Sequence, residues 1–344
     1  MTGHEPLSQY LEKFPKATEL IYASASQEGY WSNLSKKQNA ELMSMLGSRS
    51  TRECIESTQP LFTEMIFSDK RAAALELLQL KGTETAVDLG CMWGAITIPL
   101  AKQAANVLGV DQTIESLKFS EARVKEERLE NVRFLCGNLR DLELPKDTFD
   151  VAIVNGVLEW IPEQEPVVVD DYWYGAKQRI ASGNPGEMQL AFLKNIRNGL
   201  KPGGRLMLAI ENRYDYKMFC GMRDPHTGTL LTTIVPRWMA NWISKLSRGR
   251  DYRPWIYSFR GLEKMFEDAG FKSVKLHACW PHYHFPDHVN SYGLRNEHFR
   301  PISLRNKEGR VTFRRLIANP MEWVLFKLFN FQVLAPSIIA VGEK

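Results

Sequence analysis

From Thr85 onward, short apolar runs alternate with stretches of helical period: TAVDLG, ANVLGVD, NVRFLCG, FDVAIVN, GRLMLAIEN, FKSVKLHAC and APSIIAVGEK. The runs are nearly continuous in Val, Ile, Leu and Ala, as expected of strands covered on both faces. The stretch SFRGLEKMFEDAGF between the fifth and sixth runs has the spacing of a crossover helix. This alternation predicts an α/β fold, a doubly wound, mostly parallel seven-stranded sheet. Residues 1–80 read differently. SKKQNAELMSMLG and TEMIFSDKRAAALELLQL repeat near every 3.6 residues, with Gly47 and Gly82 as natural stops, and no strand is evident. The expectation is a helical N-terminal cap over 1–80 and a main domain over 81–344. Insertions at about 212–257 and 279–335, roughly 45 and 55 residues long, far exceed ordinary connections of about 2 to 6. Long excursions of this kind commonly carry specificity.

Composition narrows the class without naming a function. The 344 residues are 44% hydrophobic and 24% charged, which excludes collagen-like, disordered and coiled-coil chains. Lys and Arg total 44 against 40 for Asp and Glu, an excess too small to announce a nucleic-acid partner. The five cysteines are odd in number and form no CxxC pair, so a reducing compartment is expected. The start lacks the apolar core of a signal peptide, and no apolar run reaches about 18 residues. The reading is cytoplasmic, with a peripheral place at the inner face of the membrane also open.

The block Val87-Asp88-Leu89-Gly90-Cys91-Met92-Trp93-Gly94 follows a predicted strand and opens a helix. Its glycines let the backbone approach a ligand at the carboxyl end of the sheet. There is neither a G-K-[ST] for a P-loop nor a G-x-G-x-x-G for a dinucleotide. Asp88 precedes the glycines, where it would repel a pyrophosphate and attract an ammonium group. Asp111 ends the second strand, a position suited to ribose hydroxyls. Asn138 follows the third strand, where a polar side chain reads a base edge, and Asn155-Gly156 follows the fourth. An acid for an amino group, another for a ribose and a base reader together suit S-adenosylmethionine better than NAD or ATP.

On VDLGCMWG, LGVDQT, CGNLRDLELPKDTFDVAIVNGVLEWI and LKPGGRLMLAIEN, the sequence resembles the class I S-adenosylmethionine-dependent methyltransferases from about Thr83 to Gly270. The resemblance implies a methyltransferase with S-adenosylmethionine as cofactor. It puts Asp88 near the methionine ammonium, with Gly90, Cys91 and Gly94 lining the loop. Asp111 and Gln112 would meet the ribose, Asn138 and Leu139 the adenine, and Asn155 with Gly156 the sulfonium end. Two positions depart from the family pattern: Met92 stands for the middle glycine, and Asn138 for a common acid.

The acceptor must be read from the insertions. A hydroxyl acceptor benefits from a base in hydrogen-bond reach, for which His226 is the first candidate and Glu159 the second. Glu211, Asn212, Arg213 and Tyr216 after the fifth strand, with His282 and His284 after the sixth, are expected to line the acceptor. Three histidines and an aspartate within Trp280–His288 carry ligand chemistry, but prolines and flanking aromatics favour a substrate loop, so no metal is expected. Residues 234–246, with Trp238 and Trp242 one turn apart, read as a lid or core helix, a membrane-interface helix being the alternative. The basic stretch Arg305–Arg315 reads as a solvated face. The pattern AIENRYDYKMF followed by DPHTG is similar to methyltransferases of bacterial glycan and lipopolysaccharide assembly, which implies O-methylation of a sugar hydroxyl beside glycan-assembly enzymes. The alternatives are an RNA or small-metabolite methyltransferase, and a non-catalytic cofactor-binding module.

Overall fold

The computed structural model describes residues 5–24, 34, 36–163, 167–169, 172–174, 183–294 and 320–344. Eleven strands occur among them: β1 (Ile21–Ala23), β2 (Thr85–Leu89), β3 (Asn106–Asp111), β4 (Val132–Cys136), β5 (Phe149–Asn155), β6 (Val167–Val169), β7 (Tyr172–Tyr174), β8 (Leu200–Glu211), β9 (Lys272–Trp280), β10 (His288–Ser291) and β11 (Ser337–Glu343). Nine form one sheet in the order β1-β4-β3-β2-β5-β8-β11-β9-β10, while β6 and β7 make a separate ribbon. Pairing is parallel from β1 to β8, and β11 enters antiparallel between β8 and β9. All seven predicted strands are present, so the expected doubly wound, mostly parallel sheet holds.

Each central strand sends alternate residues to opposite faces. Val87, Leu108, Val154, Leu208 and Ile338 meet Phe192, Leu193 and Ile196 of the helix Pro185–Gly199 and Phe259, Leu262 and Phe266 of the helix Phe259–Asp268. Ala86, Val107, Ile153, Met207 and Ile339 meet Leu75, Leu78, Ile98, Leu117 and Val124 on the other face. Both faces are dry, which is why the strands read as continuous apolar runs.

Three expectations need correction or limits. Residues 1–80 do contain a strand: β1 pairs in parallel with β4, Ile21 opposite Phe134. Three residues at a sheet edge are too few to display a period of two. The helix Arg237–Arg248 is neither lid nor core on its apolar stripe. Trp238, Trp242 and Leu246 are 73%, 61% and 69% exposed, while the small residues Ala240 and Ser244 face inward. Among the described residues no helix is long and apolar enough to cross a membrane. The stretch Arg305–Arg315 lies outside the described residues.

The N-terminal helices roof the glycine loop. Ser50 and Glu53 form a capping box at the start of the helix Thr51–Thr58, and the backbone N–H of Thr51 donates to Glu126 at 2.6 Å. Phe62 then meets Trp93 edge to face, and Trp93 meets Phe119 at a tilt of 53°, with Ile55 and Ile66 beside them.

Candidate active site

The carboxyl ends of β2, β3, β4, β5 and β8 open into a cavity of about 340 Å³, within the ordinary range of ligand sites. Of the residues expected to hold a cofactor, Asp88, Gly90, Cys91, Asp111, Gln112, Asn138, Leu139, Asn155 and Gly156 line it. Gly94 does not; it turns the loop at φ +71° against Ser120.

Local backbone geometry explains the loop. The N–H groups of Gly90 and Cys91 both donate to Val110 O, at 2.8 and 3.0 Å, tying the loop to β3. Met92 adopts φ +43°, so the residue in place of the middle glycine takes a left-handed conformation itself. Its cost is offset by two hydrogen bonds: Met92 N–H donates to Asp111 Oδ2 at 2.9 Å, and Ser120 Oγ donates to Met92 O at 2.9 Å. Thr113 N–H donates to Asp111 Oδ1 at 2.9 Å, fixing the carboxylate at the mouth of β3. Asp111 is nonetheless raised in pKa, by burial above all. Burial also lifts Asp88 to about 6, the 2.6 Å bond from Thr97 Oγ1 pulling the other way. The Cys91 thiol is pushed well above its ordinary value by burial and by Asp111, so it is an unreactive lining group. Asn138 Oδ1 accepts from Arg140 N–H at 3.0 Å, which leaves the amide hydrogens as its free chemistry.

Gly156 is required for space as well as conformation. It has φ +69°, and a Cβ there would stand 2.3 Å from Tyr283 Oη. Gly156→Ala is expected to destabilise the protein by about 1–3 kcal/mol, through overpacking and strain. A denaturant midpoint equal to that of the parent would refute this contact.

A second centre lies at the far side of the same cavity. His226 Nε2 is 3.6 Å from Glu211 Oε2 and 3.9 Å from Glu159 Oε1, and all three side chains are buried. Asp224 orients the ring, Oδ1 lying 3.1 Å from His226 Nδ1 and accepting from its backbone N–H at 2.9 Å. Asp224 Oδ2 accepts from Thr227 Oγ1 at 2.8 Å and Thr232 Oγ1 at 3.1 Å. Trp160 packs against the imidazole with ring centroids 5.0 Å apart. Glu211 Oε1 accepts from Tyr283 Oη at 3.2 Å and lies 3.4 Å from His282 Nε2.

Burial alone would lower the pKa of His226, but Glu211, Asp224 and Glu159 outweigh it and raise the value well above the ordinary one. The surrounding carboxylates thus favour positive charge at this point of the cavity. Burial, then repulsion from Glu211, lifts the Glu159 carboxyl far above the usual range. Asn155 Oδ1, Glu159 Oε2 and Glu211 Oε2 are buried without a hydrogen-bond partner among the described residues.

The residues expected to line the acceptor divide. Glu211 and His284 line the cavity, whereas Asn212, Arg213, Tyr216 and His282 do not. Asn212 donates its amide to Val333 O at 2.8 Å and Ala335 O at 2.7 Å. Arg213 Nε donates to Thr233 O at 2.6 Å, and Tyr216 Oη bonds Glu322. These three pin the insertions to the sheet. Missed by sequence reading were Arg71, Asp224 and Tyr283. Arg71 is a half-buried cation on the cavity wall whose Nη1 meets His284 Nδ1 and whose buried Nε has no partner among the described residues. In sequence it is the last of three consecutive charges, Asp69-Lys70-Arg71, before the apolar run AAALELLQL, and such a run reads equally as a solvated face.

Residues 80–233 match the family described as a methyltransferase domain. The chain is 26% identical over 218 residues to a demethylmenaquinone methyltransferase of Bacillus subtilis (strain 168), covering 60% of this chain and 79% of that one. It is 23% identical over 207 residues to a ubiquinone biosynthesis O-methyltransferase of Coxiella burnetii (strain Dugway 5J108-111), covering 60% and 70%. A solved S-adenosylmethionine dependent methyltransferase from Mesorhizobium loti aligns at 16% identity and a TM-score of 0.43, over 80% of this chain and 99% of that one. With the sheet order, the glycine loop and the matched domain together, the chain is an S-adenosylmethionine-dependent methyltransferase of the class I fold.

Proposed function

We propose that the chain methylates a hydroxyl oxygen of a small polar acceptor, a saccharide above all. The observation that carries this reading is the trio of unpartnered buried oxygens, Asn155 Oδ1, Glu159 Oε2 and Glu211 Oε2. Among the described residues no donor reaches them, and a polyhydroxylated ligand supplies donors. Trp160 and Tyr283 add aromatic faces to the same cavity.

Bound S-adenosylmethionine supplies a methyl group on a sulfonium, reactive enough that positioning provides much of the acceleration. Asp88 takes the ammonium of its amino-acid part, and Arg71, a half-buried cation in the same wall, takes the neighbouring carboxylate. Asp111 and Gln112 hold the ribose. Asn138 offers its amide hydrogens to the adenine, and Leu139 packs on it. The acceptor oxygen attacks the methyl carbon as the carbon–sulfur bond breaks, and its proton passes to Glu159. A carboxyl raised in pKa is the stronger base once ionised. Asp224, His226 and Glu211 hold the charge balance around it, while Asn212, Arg213 and Tyr216 fix the loops that carry the site.

A quinol-type acceptor is the second reading. It is favoured by the names of the two curated relatives and by Phe62, Met65, Ile66 and Ile161 in the cavity wall. Transfer of labelled methyl from S-adenosylmethionine into a panel of saccharides and hydroquinones separates the two. Label only in hydroquinones would replace the saccharide reading, and label only in nitrogen or carbon nucleophiles would overturn both.

The Asp88 assignment predicts a pH dependence of cofactor affinity. With its carboxyl at about 6, Asp88 is neutral below that value and ionised above it. An ammonium prefers the ionised form, so affinity rises through about pH 6, by at most about tenfold per pH unit. Calorimetric titration between about pH 5 and about pH 7.5 checks this. A flat profile would detach Asp88 from the ammonium.

A further inference from the structure

Glu159, Glu211 and His226 meet at one point of the cavity from three separate segments. His226 Nε2, Glu211 Oε2 and Glu159 Oε1 are mutual neighbours, 3.6 and 3.9 Å from the imidazole nitrogen and all within 4.8 Å of one another. Ligands bound at about 2.0–2.1 Å in tetrahedral array stand about 3.4 Å apart, so a small closure brings this trio into range. Three features point to an ion. Glu211 Oε2 is buried, lacks a hydrogen-bond partner among the described residues and faces the imidazole. The carboxylate of Asp224, an acceptor only, holds a proton on His226 Nδ1, so that Nε2 faces the two glutamates and an ion there takes the place of the Nε2 proton. A carboxylate behind a metal-bound histidine is the usual outer-shell arrangement. Finally, three carboxylates surround one imidazole in a buried space, an excess of negative charge that a divalent cation balances.

We infer that Glu159, Glu211 and His226 form a site for a divalent transition-metal ion, of the Zn²⁺, Mn²⁺ or Fe²⁺ class, to which the acceptor hydroxyl binds. The inference rests on the reading of the cavity as one that methylates a hydroxyl. One imidazole and two carboxylates suit such ions better than the all-oxygen cations Mg²⁺ and Ca²⁺. Three protein ligands leave a coordination position for the acceptor oxygen. A hydroxyl held there loses its proton more easily, and the proton goes to Glu159 Oε2, which ligation through Oε1 leaves free. The carbon–oxygen bond forms as the carbon–sulfur bond breaks, giving a methyl ether and S-adenosylhomocysteine. Glu211, His282 and His284 make a second trio within 4.8 Å. There Arg71, a donor only, occupies His284 Nδ1, which moves the ring proton to Nε2 and removes the lone pair an ion needs.

The test is titration of the chelator-stripped full chain with Zn²⁺ by calorimetry and with Co²⁺ by visible absorption. One ion per chain is expected, with affinity lost in His226→Ala and Glu211→Gln and kept in His284→Ala. Asp224→Asn, which retains the ligands, should weaken binding about 10–100-fold. No stoichiometric ion in the folded parent overturns the inference, as does binding that survives His226→Ala but is lost in His282→Ala. The same preparation is assayed for methyl transfer. Transfer to a hydroxyl that persists with chelator present removes the ion and leaves the functional reading standing. A bound ion with transfer only to nitrogen or carbon acceptors removes the functional reading, and with it the hydroxyl's place at the ion.

Discussion

Asp111→Ala is expected to weaken S-adenosylmethionine binding by about 1–3 kcal/mol, roughly 5- to 150-fold. The side chain does two things at once. It accepts from Met92 N–H and Thr113 N–H, holding the loop in its left-handed turn. In the proposed complex it also accepts from the ribose. Removal leaves two loop donors unpaired and the sugar without its acceptor. Calorimetry with S-adenosylmethionine and S-adenosylhomocysteine, beside a thermal melt of each protein, is the check. An affinity equal to the parent's in a folded variant would sever Asp111 from the ribose.

His226→Ala should lower turnover by about 10²–10⁴-fold and leave cofactor affinity nearly unchanged. Without the imidazole, Glu159 and Glu211 face each other with no positive charge between them. The Glu159 carboxyl, already raised to about 8 by burial and by Glu211, then rises further, and a smaller fraction is ionised to serve as a base. Asp88 and Asp111 stand on other strands, so cofactor binding is spared. Steady-state kinetics set against calorimetric affinity separates the two effects. A variant that loses both equally would make His226 a structural residue rather than part of the reacting centre.

The cofactor half of the site was legible because it is local. Each expected residue stands at the end of a strand whose apolar run marks its position, so the doubly wound sheet delivers Asp88, Asp111, Asn138 and Asn155 to one edge. The second centre was only half legible. His226, Glu159 and Glu211 could each be named, but not that they converge, since the convergence depends on how the insertion after β8 folds back. Nor could the charge of His226 be read, because it is set by Asp224 and by two glutamates distant in sequence. Asn212, Arg213 and Tyr216 have side chains fit for substrate contact, yet they bond backbone and side-chain groups of the insertions. The helix Arg237–Arg248 has the period of a core helix, and period alone does not say which face is turned inward.

The approach of Gly156 to Tyr283 has an evolutionary consequence. The two positions are 127 residues apart in sequence, yet the missing Cβ of one is the space occupied by the hydroxyl of the other. Drift at either is therefore conditional on its partner. A lineage that placed a smaller side chain at 283 would relieve the crowding at 156, though the left-handed backbone would still favour glycine or asparagine there. It would also surrender the hydroxyl that donates to Glu211. Sequences descended from a common ancestor should thus vary at these two sites together, and position 211 should vary with them.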